Sequence, residues 1–430
     1  PREAQSYGIA TIYQELLLYP ELTVAENIFM GHAPRRRAGV LNWPEMRRRS
    51  LEILASLNIH DMDVNRKVNT LTVGNRQRVE IAKALSMNAR VLIMDEPTAA
   101  ITEADVERLF EIISLLKQRD VGIIYISHRL NEVFEIGDRV TVLRDGKYID
   151  TKPVAETTED ELIRMMVGRT IDNLFPKLDA EIGDTVLEVQ NLNRKPLTHD
   201  ISFQLRAGEI VGLAGLIGAG RSELAHVIFG YTPADSGMIK INGKPVKISS
   251  PRNAMQHGIA YLPEDRGTQG LVREMKLREN MSMTVLNELS QASFINFREE
   301  TSLAQRMIKQ LGIRAYSPAQ IVGKLSGGNQ QKVVVGKWLA SNPKVLIVDE
   351  PTRGIDVGSK SEIHRLLSEL AHQGMAILMI SSELPEILGM SDRILVMREG
   401  AIVAEFSRAE ATQENIGAAM MSDLNGNNTH

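Results

Sequence analysis

The chain has 430 residues, so two domains of about 200 residues each are expected. Its net charge of −4 offers no basic field that would attract nucleic acid, and the absence of cysteine excludes disulfides and thiolate metal sites. No run of about 18 apolar residues is present to span a bilayer, so any work at a membrane would need an embedded partner. The basic segments at 35–37 and 47–49 are interpreted as solvated surface, and no nucleic-acid partner is expected.

The chain contains an internal repeat. Residues 1–10 and 251–260 are identical at six of ten positions, at an offset of 250, and residues 138–144 match 392–398 at an offset of 254. A fixed order of features at a nearly constant offset indicates a duplicated domain. The second copy has further residues ahead of this match that the first copy lacks, so we expect a chain truncated at its N-terminus. The expected bounds are a first copy at 1–170, a linker at 171–184, a second copy at 185–422 and a disordered tail at 423–430.

Each copy contains short apolar runs, some of which end in acidic residues. Runs of this length, separated by stretches with helical periodicity, are typical of buried parallel strands. The alternation predicts an α/β fold with a mainly parallel sheet in each copy. The predicted elements are strands 91–94 and 122–126 with helix 104–118 in the first copy, and strands 345–348 and 375–380 with helix 359–373 in the second.

A glycine-rich loop follows the apolar strand 209–214 and precedes a helical pattern. This is the context of a phosphate-binding loop, in which glycines leave backbone amides free and the helix N-terminus adds positive potential. The phosphate-binding-loop pattern has lysine at position 221, where this chain has arginine, so we expect phosphate binding with slow hydrolysis. The alternative is a glycine-rich turn without a ligand. The nucleotide-binding candidates are Gly215, Leu216, Ile217, Gly218, Ala219, Gly220, Arg221 and Ser222, of which Ser222 is also placed to ligate Mg²⁺.

A second glycine-containing motif, Leu325-Ser326-Gly327-Gly328-Asn329-Gln330-Gln331, lies about twenty residues before an Asp-Glu strand end. Its serine is suited to cap a helix, and its paired glycines permit close backbone approach. With the phosphate-binding loop, this motif resembles the signature of ABC transporter ATPases, and the resemblance covers essentially the whole chain. It implies two tandem P-loop NTPase domains, each with a helical subdomain, that bind ATP and Mg²⁺. The signature candidates for nucleotide contact are Ser326, Gly327, Gly328, Asn329 and Gln330.

The resemblance also assigns roles to acidic residues at two strand ends. Asp95 and Asp349 would hold Mg²⁺ through water. Glu96 and Glu350 would orient and polarise the attacking water as general bases. In the family each nucleotide lies between the phosphate-binding loop of one cassette and the signature of the other.

The two copies differ at the remaining family positions. Gln14 would be the glutamine that touches Mg²⁺ and reports to the transport partner, and His128 would contact the γ-phosphate. The repeat pairs Gln14 with Glu264 and His128 with Ser382, so the second copy lacks both residues, and it also carries Arg221. These departures predict one hydrolytic site and one site that mainly binds nucleotide, although the acidic Glu350 leaves residual activity open.

The first copy departs from the family in its signature. Val73 stands where the second copy has Gly327, and only Gly74 of the glycine pair is retained as a nucleotide-binding candidate. A β-branched side chain resists the close approach that glycine allows. The phosphate-binding loop of the competent site would precede residue 1, so we expect the chain alone to hydrolyse ATP very poorly.

Segments of the second copy narrow the resemblance further. Residues 263–266, 351–358 and 381–384, together with the Gly-Arg-Ser end of the phosphate-binding loop, look like the second half of bacterial ribose-, galactose- and xylose-type import ATPases. This implies two integral-membrane permease subunits, a periplasmic sugar-binding protein, and a peripheral location on the cytoplasmic face of the inner membrane. Importers of a furanosyl autoinducer share the arrangement.

Two other functions remain as alternatives. Soluble twin-cassette ATPases that act on ribosomes usually keep both loop lysines and a long charged linker, which this chain lacks. The other alternative is a non-catalytic fragment that only binds nucleotide.

Overall fold

The computed structural model describes residues 2–14, 16–37, 39–98, 101–127, 129–144, 146–167, 175–291 and 294–421. The predicted site residue His128, the linker positions 171–174 and the predicted tail lie outside these ranges. The chain divides into two compact units, unit 1 over residues 1–166 and unit 2 over residues 167–430. In the part of the chain that is described, no helix is long and apolar enough to cross a membrane.

Unit 1 combines a small parallel sheet with helices. Its strands β1, β2 and β3 pair in that order, all parallel, while β4 and β5 form a separate antiparallel hairpin. The predicted strands 91–94 and 122–126 and the predicted helix 104–118 are confirmed within one residue as β2, β3 and α5. The elements are α1 (Arg2–Ser6), β1 (Ile9–Ile12), α2 (Val24–Ile28), α3 (Trp43–Ser56), α4 (Val73–Ser86), β2 (Val91–Asp95), α5 (Glu103–Lys117), β3 (Gly122–Ile126), α6 (Leu130–Ile136), β4 (Arg139–Arg144), β5 (Lys147–Pro153) and α7 (Glu159–Val167).

Strand β3 is one of the two edge strands of the unit 1 sheet. Ile124 and Ile126 on it are 53% and 46% exposed, whereas every residue of the corresponding strand of unit 2, Ala376–Ile380, is buried. That unit 2 strand is covered because a further parallel strand, Ile210–Gly215, pairs with it. Among the described residues of unit 1, no strand pairs with the outer side of β3.

Unit 2 has a larger set of elements arranged in two main sheets. The predicted strands 345–348 and 375–380 and the predicted helix 359–373 are confirmed, with shifts of one or two residues, as β14, β15 and α13. The elements are β6 (Thr185–Arg194), β7 (Thr198–Arg206), β8 (Ile210–Gly215), α8 (Arg221–Ile228), β9 (Ser236–Ile241), β10 (Lys244–Val246), α9 (Pro251–Gln256), β11 (Ile259–Leu262), α10 (Leu277–Ser282), β12 (Ser290–Gln291), β13 (Phe294–Ile295), α11 (Phe297–Gln310), α12 (Gly327–Leu339), β14 (Val345–Asp349), α13 (Val357–His372), β15 (Ala376–Ile380), α14 (Leu384–Met390), β16 (Arg393–Arg398), β17 (Ala401–Ser407) and α15 (Gln413–Met421).

The central sheet of unit 2 has the order β11-β14-β15-β8-β16-β17 and is parallel except for β17. Strands β8, β14 and β15 are buried along their whole length, which explains their unbroken apolar sequences. A second, antiparallel sheet has the order β10-β9-β6-β7. Because neighbouring parallel strands end at the same edge, the segments that follow β8, β14 and β15 meet there, and this edge carries the candidate site.

The segment that precedes β6 packs on unit 2. Phe175 lies 5.1 Å, between ring centroids, from His364 of α13, and the Lys177 ammonium pairs with Asp392 at 2.7 Å. The backbone N–H of Leu178 donates to the Ser368 hydroxyl at 2.6 Å. Residues 175–178 therefore lie against α13 and the start of β16.

Candidate nucleotide site

The loop between β8 and α8 turns sharply on its glycines. Gly218 and Gly220 have φ values of +85° and +95°, a region that side chains rarely adopt. A Cβ atom at Gly220 would also lie 3.0 Å from the Leu197 carbonyl oxygen. Ile217 at the tip is 95% exposed, while Ala219 is buried. The glycines therefore let the backbone turn sharply just ahead of a helix start, as a phosphate-binding loop requires.

Arg221, the first residue of α8, points toward the end of β15. Its guanidinium is buried, and Nη1 donates a 2.6 Å hydrogen bond to the Ser381 carbonyl oxygen. Its Nη2 lies 3.9 Å from Oε1 of Glu350. Sequence reasoning did not foresee these contacts. They hold the planar guanidinium between two elements of the fold, which limits how far it can reach into the loop.

Asp349 ends β14 as a buried carboxylate. Its Oδ2 accepts a 2.9 Å hydrogen bond from the Tyr261 hydroxyl, whereas its Oδ1 is buried without a well-formed hydrogen bond among the described residues. Burial raises the pKa of Asp349, and the nearby Ser222 hydroxyl partly offsets that rise. An unsatisfied carboxylate oxygen beside a serine hydroxyl is the oxygen-rich surrounding that Mg²⁺ prefers. These residues therefore fit the predicted metal.

Glu350 follows Asp349 in a left-handed backbone conformation, with φ +46°. Its N–H donates to the Ile380 carbonyl oxygen at 2.9 Å, and its Oε2 accepts from the Ser382 hydroxyl at 3.1 Å. Burial raises the pKa of Glu350 to about 7, against the opposing effects of Arg221 and Ser382. A non-glycine residue held at positive φ beside functional groups is a strained position that its surroundings impose.

Tyr261 on β11 joins this edge of the sheet, and sequence reasoning missed it. Its hydroxyl contacts both Asp349 Oδ2 and, at 3.1 Å, Nε2 of His226 on α8. Burial raises the pKa of Tyr261 far above its usual value, so the group stays a hydroxyl. A tyrosine within the buried apolar strand at 259–262 needs a hydrogen-bond partner for its hydroxyl. This requirement could have identified Tyr261 as a site residue from the sequence.

We expect Tyr261→Phe to weaken the Mg²⁺-dependent part of ATP binding about fivefold, because Asp349 then loses its one well-formed hydrogen bond. ATP affinity measured with Mg²⁺ and with EDTA checks this. Tyr316→Phe, at an 83% exposed position, is the matched control and should change neither value. Equal weakening with and without Mg²⁺ would contradict the role of Tyr261.

The signature motif forms the start of α12. Ser326 is the N-cap residue, and its hydroxyl accepts a 2.8 Å hydrogen bond from the Asn329 amide. Gly328 lies against α13, where a Cβ atom would fall 2.3 Å from the Ser359 hydroxyl oxygen. At Gly327 a Cβ atom would approach Arg266 Nη2 to 2.9 Å. Packing within unit 2 thus requires glycine at 328, whereas at 327 an added Cβ meets chiefly the far end of the Arg266 side chain.

Gln330, also predicted to contact nucleotide, is directed into the protein. Its side chain is buried and donates to the Leu325 carbonyl oxygen at 2.9 Å. Ser326 and Asn329, whose mutual hydrogen bond is exposed, are better placed for a ligand.

In unit 1 the structure brings Gln14 and Glu96 together. The Gln14 amide donates to Glu96 Oε2 at 3.1 Å. Glu96 has φ +45° and donates its N–H to the Ile126 carbonyl oxygen at 3.0 Å, which repeats the backbone geometry of Glu350. Asp95, directly before it, is partly buried at the end of β2.

The weakened signature of unit 1 has the same helix start. Thr72 caps α4 by accepting from the Asn75 N–H at 3.3 Å, and Val73 beside it is 42% exposed. Gly74 is required by packing, since a Cβ atom there would lie 2.4 Å from Cγ of Asp105. Val73 is accommodated without a clash in the fold, so its effect would fall on a ligand.

A glycine loop ahead of a helix, next to a buried Asp-Glu strand end on a parallel sheet, defines a P-loop ATPase class of protein. In the described ranges, no group of three or more histidine, aspartate or glutamate side chains is arranged to hold a metal ion. A family profile described as "ABC transporter" matches residues 1–99 and 198–353. The chain belongs to the ABC transporter family, and it is an ATP-binding ATPase of that family.

Curated relatives resemble the chain over nearly its whole length. The ribose import ATP-binding protein of Geobacillus kaustophilus is 51% identical over 97% of this chain and 84% of the relative. That of Caldanaerobacter subterraneus is 50% identical over 96% of this chain and 84% of the relative. A protein of Hahella chejuensis, provisionally named a ribose/galactose/methyl galactoside import ATP-binding protein, is 50% identical over 97% of this chain and 81% of the relative.

Proposed function

We propose that this protein couples ATP hydrolysis to the import of a monosaccharide such as ribose or galactose. The observation that carries the proposal is identity of about half of all residues, over 96–97% of the chain, to proteins named for that import. The proposed partners are integral-membrane permease subunits and, through them, a periplasmic sugar-binding protein. The proposed location is the cytoplasmic face of the inner membrane. A ribosome-associated role and a purely nucleotide-binding fragment have no comparable support.

In unit 2 the phosphates of ATP are proposed to bind the loop at 215–220 and the start of α8. Asp349 and Ser222 are the proposed holders of Mg²⁺, which when bound neutralises phosphate charge. Support comes from the buried, unsatisfied Oδ1 of Asp349 and from the Ser222 hydroxyl near it. Tyr261 orients the carboxylate. At the signature of this unit, Ser326 and Asn329 are the proposed ligand-contacting side chains.

The two carboxylates proposed as general bases are not equivalent. Glu96 accepts a hydrogen bond from the neutral Gln14 amide. Glu350 lies partly buried between Arg221 and Ser382, with a pKa of about 7, so a large fraction of it carries a proton at neutral pH. A protonated carboxyl cannot accept a proton from water. We therefore propose that Glu96 of unit 1 supplies the general base for hydrolysis and that unit 2 mainly binds nucleotide.

Sugar uptake in the source organism tests both proposals. Glu96→Gln and Glu350→Gln are introduced separately into the natural gene, and uptake of labelled ribose and galactose is measured beside a gene deletion. The deletion should abolish uptake of one of these sugars. Glu96→Gln should reduce that uptake at least a hundredfold and Glu350→Gln less than tenfold, because removal of a general base loses about 10²–10⁴ in rate.

The outcomes separate the two ideas. Unchanged uptake of both ribose and galactose in the deletion strain contradicts the import function. Equal losses from the two glutamate variants contradict only the inequality of the units. Glu410→Gln, an exposed carboxylate that contacts Ser407, is the control and should leave uptake unchanged.

A further inference from the structure

Unit 2 has three more residues than unit 1 in the segment that follows β11. Gln14 and Glu264 are equivalent at an offset of 250. Asn27 and Asn280, which make the same two hydrogen bonds to a backbone N–H and carbonyl eight residues earlier, are equivalent at an offset of 253. The extra residues therefore fall between these matches, where unit 2 forms the turn Arg266–Gly270. This turn has no role in the sites described above.

Both ends of the turn are fixed. Ahead of it, Oδ1 of Asp265 accepts hydrogen bonds from the N–H groups of Gly267 at 2.7 Å and Thr268 at 3.1 Å. At its end, the buried Lys337 ammonium on α12 donates to the Gly270 carbonyl oxygen at 2.5 Å. Since the signature forms the start of α12, the turn is attached to the signature helix.

The Arg266 side chain connects this turn to the loop that follows β14. Its Nη1 donates to the Arg353 carbonyl oxygen and its Nη2 to the Gly354 carbonyl oxygen, both at 2.7 Å. A guanidinium can serve two adjacent acceptors at once because its donors are held in one plane. The Arg353 and Glu264 side chains also form an ion pair, which is a second connection between the same two segments. The connected loop begins directly after Glu350, whose carbonyl oxygen accepts from the Arg353 N–H at 3.1 Å.

The same guanidinium also borders the signature. A Cβ atom at Gly327 would lie 2.9 Å from Nη2 of Arg266 and 3.4 Å from the Gly354 carbonyl oxygen. Gly327 is the first residue of α12 and directly follows Ser326. The turn, the loop after Glu350 and the signature start therefore meet at one side chain.

Unit 1 has different residues at both positions of this contact. Counted from the match of Gln14 to Glu264, Leu16 stands where unit 2 has Arg266, and Val73 stands where it has Gly327. A leucine side chain has no hydrogen-bond donor, so it cannot hold two carbonyl groups. The pairing of a guanidinium with glycine is thus a feature of unit 2, alongside the three extra residues.

We infer that Arg266 is a positioning residue, which fixes the signature start of unit 2 against the loop that follows Glu350. Because the guanidinium bonds to the loop and contacts the signature, a displacement of one segment is passed to the other. Arg266 acts through these segments and needs no contact with nucleotide. The inference rests on the proposed ligand-contacting role of Ser326 and Asn329.

Hydrogen–deuterium exchange, followed by mass spectrometry of peptides, tests this on the 430-residue chain. In Arg266→Leu, which installs the residue of unit 1, exchange should accelerate about tenfold in peptides 326–333 and 350–360 together, because both lose their shared anchor. The buried strand peptide 376–380 should not change. Arg306→Leu, at an exposed position on α11, is the matched control and should alter none of the three peptides. If Arg266→Leu does not fold, Arg266→Lys replaces it, with about threefold acceleration expected because an ammonium lacks the planar fork.

The exchange pattern separates positioning from general stability. Joint acceleration of the two peptides, with 376–380 unchanged, supports the inference. Acceleration in only one of them would mean that Arg266 does not connect the two segments. Equal acceleration in all three peptides would mean that Arg266 only stabilises unit 2, which also overturns the inference.

Sugar uptake with Arg266→Leu in the natural gene tests the consequence for function. Per amount of protein, the maximal rate of the uptake that the deletion strain loses should fall about tenfold, and the half-saturating sugar concentration should stay the same. An unchanged maximal rate overturns the positioning role even where exchange accelerates. Ribose and galactose uptake that survives the gene deletion contradicts the import function alone, and the exchange pattern then decides the inference.

Discussion

Gly328→Ala should lower the free energy of unfolding of unit 2 by about 2 to 3 kcal/mol. The added Cβ would lie 2.3 Å from the Ser359 hydroxyl oxygen and 2.5 Å from its Cβ, so α12 and α13 must separate to admit it. Urea unfolding followed by tryptophan fluorescence measures the change. The chain has two tryptophans, and Trp43→Phe leaves Trp338, which lies on α12 itself.

Two further variants make the test specific. Gly417→Ala is the matched control, since nothing lies within 4 Å of the added atom on α15, and it should raise the free energy of unfolding by about 0.5 to 1 kcal/mol. Ser359→Gly removes the clashing atoms, so the double variant with Gly328→Ala should be more stable than the two single losses predict. Additive losses would show that the clash is not the cause.

Glu350→Gln should stabilise unit 2 more at pH 8 than at pH 5, by about 2 kcal/mol. Below about pH 4.5, the ordinary pKa of the group, the carboxyl is neutral in both the folded and the unfolded chain, and a glutamine at position 350 would behave much like it. Between pH 4.5 and about 7 the unfolded chain releases the proton while the folded chain keeps it, so the native protein loses stability as pH rises. Glutamine cannot ionise and avoids this loss, although the pairing with Arg221 reduces the gain.

The same Trp338 signal measures unfolding of this variant at pH 5, 6, 7 and 8. Glu410→Gln serves as the control, because hydrogen bonds from Ser407 lower the pKa of Glu410 below its ordinary value of 4.5, so the effect of removing this carboxyl is already complete above that pH and should stay flat from pH 5 to pH 8. A Glu350→Gln difference that stays flat from pH 5 to pH 8 would mean that this carboxyl is already ionised at pH 5.

The sequence predicted those parts of the molecule that local pattern determines. Strands such as β14 and β15 were identifiable because burial on both faces demands unbroken apolar runs. The position of Asp349 and Glu350 followed from the strand that they end. The glycines of the loop at 215–220 were recognisable because few other residues adopt its backbone geometry.

The sequence did not predict how distant side chains pair. Arg221 meets the Ser381 carbonyl across 160 positions, and Tyr261 meets Asp349 across 88. No periodicity encodes such contacts, since they depend on which strands become neighbours. The left-handed conformation of Glu96 and Glu350 was also not predicted, because an Asp-Glu-Pro sequence is equally compatible with an ordinary backbone conformation. The repeat itself could have drawn attention to two buried glutamates, Glu132 and Glu386, which are 254 residues apart and both 1% exposed.

The open side of β3 has a consequence for handling the protein. Ile124 and Ile126 are exposed apolar residues on a strand whose outer side pairs with no strand in the described part of unit 1, and such an edge can recruit the same strand from another molecule. Association of this kind would increase with concentration and with temperature. Dilute, cold samples with a charged residue engineered at position 124 are therefore the preparations in which single chains should persist.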